Sequence, residues 1–169
     1  MSDKHSVITE LYEFKVKDLL ELIDAKISYV EKTDSIEQVF LLLGKKNHIW
    51  VVDDSIALHV LGIITESDTI QLFAPPYTPL QSFEKPTLQS FQYGLATTAE
   101  EIMSKRPITA DPNERIIDVI AKMKQHKIKQ LPVVDENERL IGEISLSRLI
   151  QEYSKQQTEF IQKKKTKTT

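Results

Sequence analysis

The sequence predicts a mixed α/β (α+β) fold built from two copies of one β-α-β-β-α unit. The first observation is a helical pattern of apolar residues, spaced i, i+3, i+4, i+7 from Ile36, which recurs eighty residues later from Ile116. The second is that each pattern is followed by a short apolar strand ending in aspartate, and then by a glycine, Gly62 or Gly142. Length changes confined to the loops between these elements are typical of two copies of one folded unit.

Each copy is expected to run through the same elements in the same order. An opening strand lies at about 27–30 in one copy and 107–110 in the other. A helix of about three turns follows, starting near Asp34 or near Glu114, where polar side chains can cap free amides. Two short strands and a second helix complete the unit.

A further short helix is predicted before each copy. Thr98, with Glu101 three residues later, has the spacing of a capping box, and residues 16–23 are the counterpart before the first copy. A unit of about 60 residues is marginal alone, so we expect the two to pack on each other as a pseudo-two-fold pair. The predicted segments are an N-terminal segment 1–14, a first repeat 15–73, a proline-containing connector 74–97, a second repeat 98–155 and a basic tail 156–169.

The composition excludes several classes of protein. The 169 residues include no cysteine, so disulfides and thiolate metal sites are absent, and four glycines cannot form the common phosphate-binding loops. The chain has no apolar run near the roughly 18 residues of a membrane span and no secretion signal, so we expect a cytoplasmic protein and no membrane contact. No histidine has metal-ligand spacing and no nucleophile elbow occurs, so we expect neither a metal nor catalysis.

The net charge of −3 averages an acidic body and a basic end, because four lysines lie in the last seven residues. An acidic body argues against a broad nucleic-acid surface, whose affinity rests on clustered basic side chains. The basic end is either a solvated terminus or a contact for an anionic partner.

Several short motifs recur in register in the two copies. In one-letter code they are LGIITESD (61–68) in the first copy, and LPVVD (131–135), LIG (140–142) and IS (144–145) in the second. This pattern resembles the cystathionine-β-synthase (CBS) domain, and LGIITESD resembles that family's Gly-h-x-Thr-x-x-Asp signature, where h is apolar. The resemblance covers residues from about 15 to 155.

The resemblance implies a tandem pair of CBS repeats, often called a Bateman module. Such pairs usually form a disc-shaped homodimer, bind adenosyl ligands in the clefts between repeats and regulate a partner protein without being catalysts. We therefore expect AMP, ADP, ATP or S-adenosylmethionine as an effector and an unidentified regulated protein as a partner. The competing hypothesis is a dimerisation module that binds no ligand.

The candidate nucleotide site of the first copy begins at Thr65, where a strand is expected to give way to a helix. Asp68, one turn on, offers two acceptor oxygens that suit the neighbouring hydroxyls of a ribose, and a helix start favours phosphate. The family motif implies this division between Thr65 and Asp68, with Ser67 beside them. The alternative is that Thr-x-x-Asp is a capping box that needs no ligand.

The second copy departs from the motif. Ser145 can replace the threonine, but Arg148 stands where the aspartate would hold ribose, and it cannot accept hydrogen bonds. We therefore expect the second ribose site to be absent or altered. Arg148 and Lys129 either contact phosphate or are solvated.

The adenine base is expected against the opening strands. The candidates are Ile27, Tyr29 and Ile49 in the first copy, and Ile108 and Thr109 in the possible second site. Apolar side chains at these positions also suit a hydrophobic core. Tyr29 either stacks on the purine or fills the cleft.

Overall fold

A computed structural model of the chain describes residues 2–23, 27–73 and 96–166, so most of the predicted connector 74–97 lies outside the described residues. The chain divides into two compact units, residues 28–107 and residues 1–27 with 108–169. We call them the central unit and the terminal unit.

The helices are α1 (Ser2–Glu13), α2 (Val16–Leu19), α3 (Ile36–Leu43), α4 (Ile70–Phe73), α5 (Ala99–Ile102), α6 (Ile116–His126) and α7 (Leu146–Thr166). The strands are β1 (Glu21–Leu22), β2 (Tyr29–Glu31), β3 (His48–Val52), β4 (Val60–Thr65), β5 (Ser104–Lys105), β6 (Gln130–Val134) and β7 (Leu140–Ser145).

The central unit is a four-stranded sheet with the order β2-β3-β4-β5. β2 runs parallel to β3, whereas the β3–β4 and β4–β5 pairs are antiparallel. Helix α3 covers the sheet because its spacing places Ile36, Val39 and Leu43 on one buried face. They join a cluster that includes Val30, Ile49, Val51, Ile64, Leu72, Ala99 and Ile102.

The terminal unit is a three-stranded antiparallel sheet with the order β1-β7-β6. Ala110 adds a single parallel bridge to Val133. Helix α6 buries Ile116, Val119 and Met123. These residues pack in a cluster with Leu11, Val16, Leu19, Ala110, Leu131, Val133, Ile144 and Leu149.

The segment that opens each repeat lies in the unit built from the other repeat. Residues 15–22 form α2 and β1 of the terminal unit, and residues 98–105 contribute α5 and β5 to the central unit. The edge strand passes over a glycine in each case, since Gly62 lies opposite Lys105 and Gly142 opposite Leu22. A Cβ on Gly62 would lie 2.7 Å from the Ser104 carbonyl oxygen, and one on Gly142 would collide with the Glu21 carbonyl oxygen. The two matching glycines are therefore required by the close approach of an edge strand.

The first long helix of each repeat begins two residues or so later than predicted. Ser35 is the N-cap of α3, and its Oγ accepts a hydrogen bond from the Gln38 N–H at 3.3 Å. Asp34 instead accepts from the Glu31 N–H and closes the preceding turn. The predicted opening strand at 107–110 is wrong, because in the second repeat only Ala110 makes a bridge.

The short helix predicted before the second copy is confirmed, whereas the one predicted at 16–23 ends at Leu19 and is followed by β1. Thr98 is the N-cap of α5, and the Glu101 carboxylate accepts from the Thr98 N–H at 3.1 Å. Helix α7 continues through 156–166, so this part of the predicted basic tail is helical. Among the described residues, no helix is long and apolar enough to cross a bilayer, and no group of three potential metal ligands occurs.

Candidate functional site

The central unit carries the predicted Thr-x-x-Asp motif at the end of β4. Thr65 is the last residue of the strand, and a 3₁₀ turn (Glu66–Thr69) leads directly into α4. One oxygen of Asp68, Oδ2, accepts hydrogen bonds from the Thr65 N–H at 2.7 Å and from the Thr65 hydroxyl at 2.8 Å. The capping contact considered for this motif is therefore present in the structure.

The other oxygen of Asp68 accepts a hydrogen bond from a residue that the sequence analysis did not predict to be part of the site. Ser104, in β5, donates its hydroxyl to Asp68 Oδ1 at 3.2 Å. The antiparallel pairing of Ser104 with Ile63 in β4 brings it to this position. Asp68 is half-buried and Ser104 is exposed, so the Asp68 carboxylate is held between its own turn and the edge strand.

The remaining candidates from the first copy differ in exposure. Ser67 is exposed on the 3₁₀ turn, and Tyr29 is half-buried in β2 opposite Trp50. Ile49 is fully buried in the core of the central unit, and Ile27 is also buried, so neither presents an open surface. The structure therefore groups Thr65, Ser67 and Asp68 around one turn.

In the terminal unit, the corresponding strand end is built differently. Ser145 ends β7 and caps α7, because its Oγ accepts from the Arg148 N–H at 3.1 Å. The same hydroxyl lies 3.4 Å from Glu21 Oε2 and donates to it. In the terminal unit, Glu21 pairs with Glu143, the residue after Gly142. In the central unit, Ser104 pairs with Ile63, the residue after Gly62. Glu21 and Ser104 therefore occupy matching positions on the two edge strands.

The matching edge-strand position therefore carries a hydroxyl in the central unit and an acid in the terminal unit. In the central unit, the acid is Asp68 on the turn and the hydroxyl is Ser104 on the edge strand. In the terminal unit, the acid is Glu21 on the edge strand and the hydroxyl is Ser145 at the strand end. Sequence reasoning missed Ser104 and Glu21, although it had matched the segments that contain them.

Arg148 does not point freely into solvent. Its guanidinium Nη2 lies 3.6 Å from Glu152 Oε2, and its side chain is only 29% exposed. The Glu152 side chain is 9% exposed, and its other oxygen accepts from Gln156 Nε2 at 3.3 Å. Arg148 therefore neutralises a buried carboxylate on its own helix.

Lys129 lies beside the start of the same helix. Its carbonyl accepts from the Leu146 N–H at 2.7 Å, while its side chain is exposed. Lys129, Ser145 and Arg148 are thus brought to one end of the terminal unit, where an arginine and a lysine accompany the helix start.

The candidates for the second base contact lie in the segment before α6. Ile108 packs against the core of the terminal unit, and Thr109 is half-buried. The Thr109 carbonyl accepts from Lys122 Nζ at 3.0 Å, and Lys122 also forms a 2.8 Å ion pair with Glu114. Lys122 therefore fixes the backbone of this segment on α6.

The helix that precedes β5 is anchored by a carboxylate with a perturbed pKa. The Thr97 and Thr98 N–H groups, in that order of effect, hold the pKa of Glu101 below its usual value. Because α5 leads within two residues into β5, this cap helps to position the strand that carries Ser104.

A family model described as the CBS domain matches residues 15–74 and 99–155. The chain belongs to the CBS-domain family. This match agrees with the repeats and the α+β fold predicted from the sequence, and solved CBS domain pairs share the fold.

Curated relatives include much longer proteins. Homoserine O-acetyltransferase of Methanosphaera stadtmanae is 29% identical over 146 residues, which are 86% of this chain but 25% of that enzyme. The uncharacterized protein MJ1426 of Methanocaldococcus jannaschii is 30% identical over 101 residues, covering 54% of this chain and 59% of the relative. The chain spans about a quarter of the length of the acetyltransferase.

Solved structures of CBS domain pairs resemble this chain along most of its length. The CBS domain pair of protein MJ0100, in complex with 5′-methylthioadenosine and S-adenosyl-L-methionine, has a TM-score of 0.61 and 27% identity, covering 82% of this chain and 98% of that one. CBSX2 in complex with AMP has a TM-score of 0.65, with 19% identity and coverage of 82% and 94%. The CBS domain of a bacterial CNNM/CorC family Mg²⁺ transporter in complex with ATP has a TM-score of 0.66, with 18% identity and coverage of 90% and 95%.

Proposed function

We propose that this chain is a regulatory module that binds an adenosyl compound through Asp68 and passes the change to a partner protein. AMP, ADP, ATP and S-adenosylmethionine are the candidate effectors. The MJ0100 domain pair, which is in complex with two adenosyl compounds, supports this choice at 27% identity. Those two compounds share an adenosine, so the proposal rests on recognition of its ribose by Asp68.

The proposal rests on the hydrogen-bond partners of the two oxygens of the Asp68 carboxylate. Its Oδ2 is engaged by Thr65, whereas its Oδ1 faces an exposed hydroxyl, that of Ser104. An ionised carboxylate accepts hydrogen bonds at about four positions, so Oδ1 can accept from a ribose hydroxyl while Oδ2 maintains the turn. Capping and ligand binding are thus compatible roles for Asp68.

Within the terminal unit, we propose Lys129 and Arg148 as the candidate contacts for a phosphate. Lys129 is exposed beside the α7 start, and Arg148 lies one turn into that helix. Because Arg148 is already paired with Glu152, its contribution to binding should be smaller than that of Asp68. Ser145 is engaged by Glu21 and by its own helix, which supports an altered second ribose site.

The proposed role is regulatory and not catalytic. The match to homoserine O-acetyltransferase covers a quarter of that enzyme, so acetyl transfer is not assigned to this chain. We further propose a homodimer as the working unit, to be checked by gel filtration with light scattering, in which a monomer would contradict the assignment.

A second candidate function is a dimerisation module that binds no nucleotide. It is favoured by the fact that Thr65 and Asp68 satisfy each other within one turn. In that case, the motif is a structural cap alone, and Asp68 contributes to stability without contacting a ligand.

A thermal-shift panel distinguishes the two functions. AMP, ADP, ATP, S-adenosylmethionine and, as a control, a cyclic dinucleotide are added at up to millimolar concentration. A ligand at 100 times its dissociation constant stabilises the folded state by about 2.7 kcal/mol, which for a chain of this size raises the midpoint by roughly 5–10 °C. No shift with any adenosyl compound would favour the dimerisation module.

A further inference from the structure

We propose that Ser104 is a selectivity-determining residue, whose hydroxyl occupies a position on Asp68 that a pair of neighbouring ribose hydroxyls requires. Ser104 would then limit how strongly the chain prefers a ribonucleotide to its 2′-deoxy form. This inference rests on the proposed function, in which Asp68 binds the ribose.

The hydrogen bonds to Asp68 leave few acceptor positions. Each carboxylate oxygen accepts about two hydrogen bonds, and the Thr65 N–H and hydroxyl already fill Oδ2. Oδ1 accepts from Ser104 at 3.2 Å, so one position remains among the contacts that the described residues make. A single ligand hydroxyl fits that position without displacing any partner.

A ribose diol needs two acceptor positions, so it competes with an existing donor. The Thr65 donors are short and lie within one turn, at 2.7 and 2.8 Å, whereas Ser104 is longer and exposed. The ribose diol therefore displaces the Ser104 hydroxyl from Asp68, because this exposed hydroxyl can donate to water instead at little cost in free energy. Removing this hydroxyl should favour the diol and leave a single hydroxyl almost unaffected.

The terminal unit shows independently that a side chain at this edge-strand position can contact the end of the neighbouring strand. Glu21, at the matching register, contacts the end of β7 through Ser145. A side chain at this place in the edge strand therefore reaches the strand–helix turn in both units. The contact between Ser104 and Asp68 follows from that register.

The test compares AMP with 2′-deoxy-AMP by calorimetry on wild type, Ser104→Ala and Lys105→Ala. Lys105 is the exposed neighbour of Ser104 in β5 and is the matched control. Ser104→Ala should bind AMP about 2- to 10-fold more tightly, the range for one net hydrogen bond, with 2′-deoxy-AMP changed less than about 2-fold. Lys105→Ala should leave the ratio of the two affinities as in wild type.

Weaker AMP binding by Ser104→Ala, or an unchanged affinity ratio, would overturn the inference while leaving the proposed function in place. Failure of both nucleotides to bind wild type and Ser104→Ala would overturn both. A double-mutant cycle of Ser104→Ala and Asp68→Ala on urea unfolding, without nucleotide, reports the contact itself. Strict additivity of the two losses would contradict the hydrogen bond on which the inference depends.

Discussion

Gly62 and Ser104 approach each other across β4 and β5 so closely that a Cβ on Gly62 would lie 2.7 Å from the Ser104 carbonyl oxygen. The same Cβ would lie 2.6 Å from the sulfur of Met103. The absence of a side chain at Gly62 therefore lets β5 pair with β4 and holds Ser104 over the turn that carries Asp68. This close approach links a repeated glycine of the sequence to the geometry of the candidate site.

Gly62→Ala should destabilise the protein by about 1–3 kcal/mol, since a core that is already close-packed must shift to admit the methyl group. Gly44→Ala is the matched control, because its Cβ would meet only ordinary contacts at 3.4 Å and its backbone is right-handed helical. That control should be neutral or stabilising by up to about 1 kcal/mol. Urea unfolding measures both, and equal effects would contradict the role of Gly62.

Arg148→Ala should destabilise the protein by about 1–2 kcal/mol, because the buried Glu152 carboxylate loses its cation. Adding Glu152→Gln should recover part of the loss, since the uncompensated charge is then removed. Arg115→Ala serves as a control, as Arg115 and Asp118 form an exposed pair with side chains 59% and 50% exposed. Its loss should be about 0.5 kcal/mol or less. A double variant no more stable than Arg148→Ala would argue against the pairing.

Glu101→Gln should reduce the loss of stability at acid pH. The pKa of Glu101 is lowered by the Thr97 and Thr98 N–H groups, so its contribution is present above the ordinary value of 4.5 and is lost as pH falls through the lower, folded value. The unfolding midpoint measured from pH 7 to pH 3 should therefore fall less steeply below about 4.5 in Glu101→Gln. Glu100→Gln, on the same helix, is the control, and identical slopes for Glu101→Gln and wild type would exclude this cap as a source of acid sensitivity.

The sequence predicted the elements whose signal is local. The apolar spacing of α3 and α6 and the capping box at Thr98 are patterns of neighbouring residues, and each is present in the structure. The precise helix starts could not be predicted, because Asp34, Ser35 and their neighbours all offer caps. Which one closes the turn and which one caps the helix depends on the backbone path into α3.

The contacts between distant segments could not be predicted in this way. β1 and β5 are two residues long and carry no periodic pattern, so their pairing with β7 and β4 has no sequence signature. The Ser145–Glu21 contact joins residues 124 positions apart. The sequence therefore indicated that Arg148 stands where the motif has an aspartate. It did not indicate that Glu21, on the edge strand β1, places an acid beside Ser145.

The most direct test of the account is the affinity of wild type, Asp68→Ala and Arg148→Ala for the adenosyl compound that gives the largest thermal shift, measured by calorimetry. Asp18→Ala is the matched control for loss of a cap, because Asp18 Oδ2 accepts from the Lys15 N–H as Asp68 Oδ2 does from the Thr65 N–H. We expect Asp68→Ala to weaken binding at least about 10-fold, as hydrogen bonds to a charged group contribute about 1.5–3 kcal/mol each, with a smaller loss for Arg148→Ala and little change for Asp18→Ala. Equal affinities for wild type and Asp68→Ala would remove Asp68 from the site and contradict the proposed function.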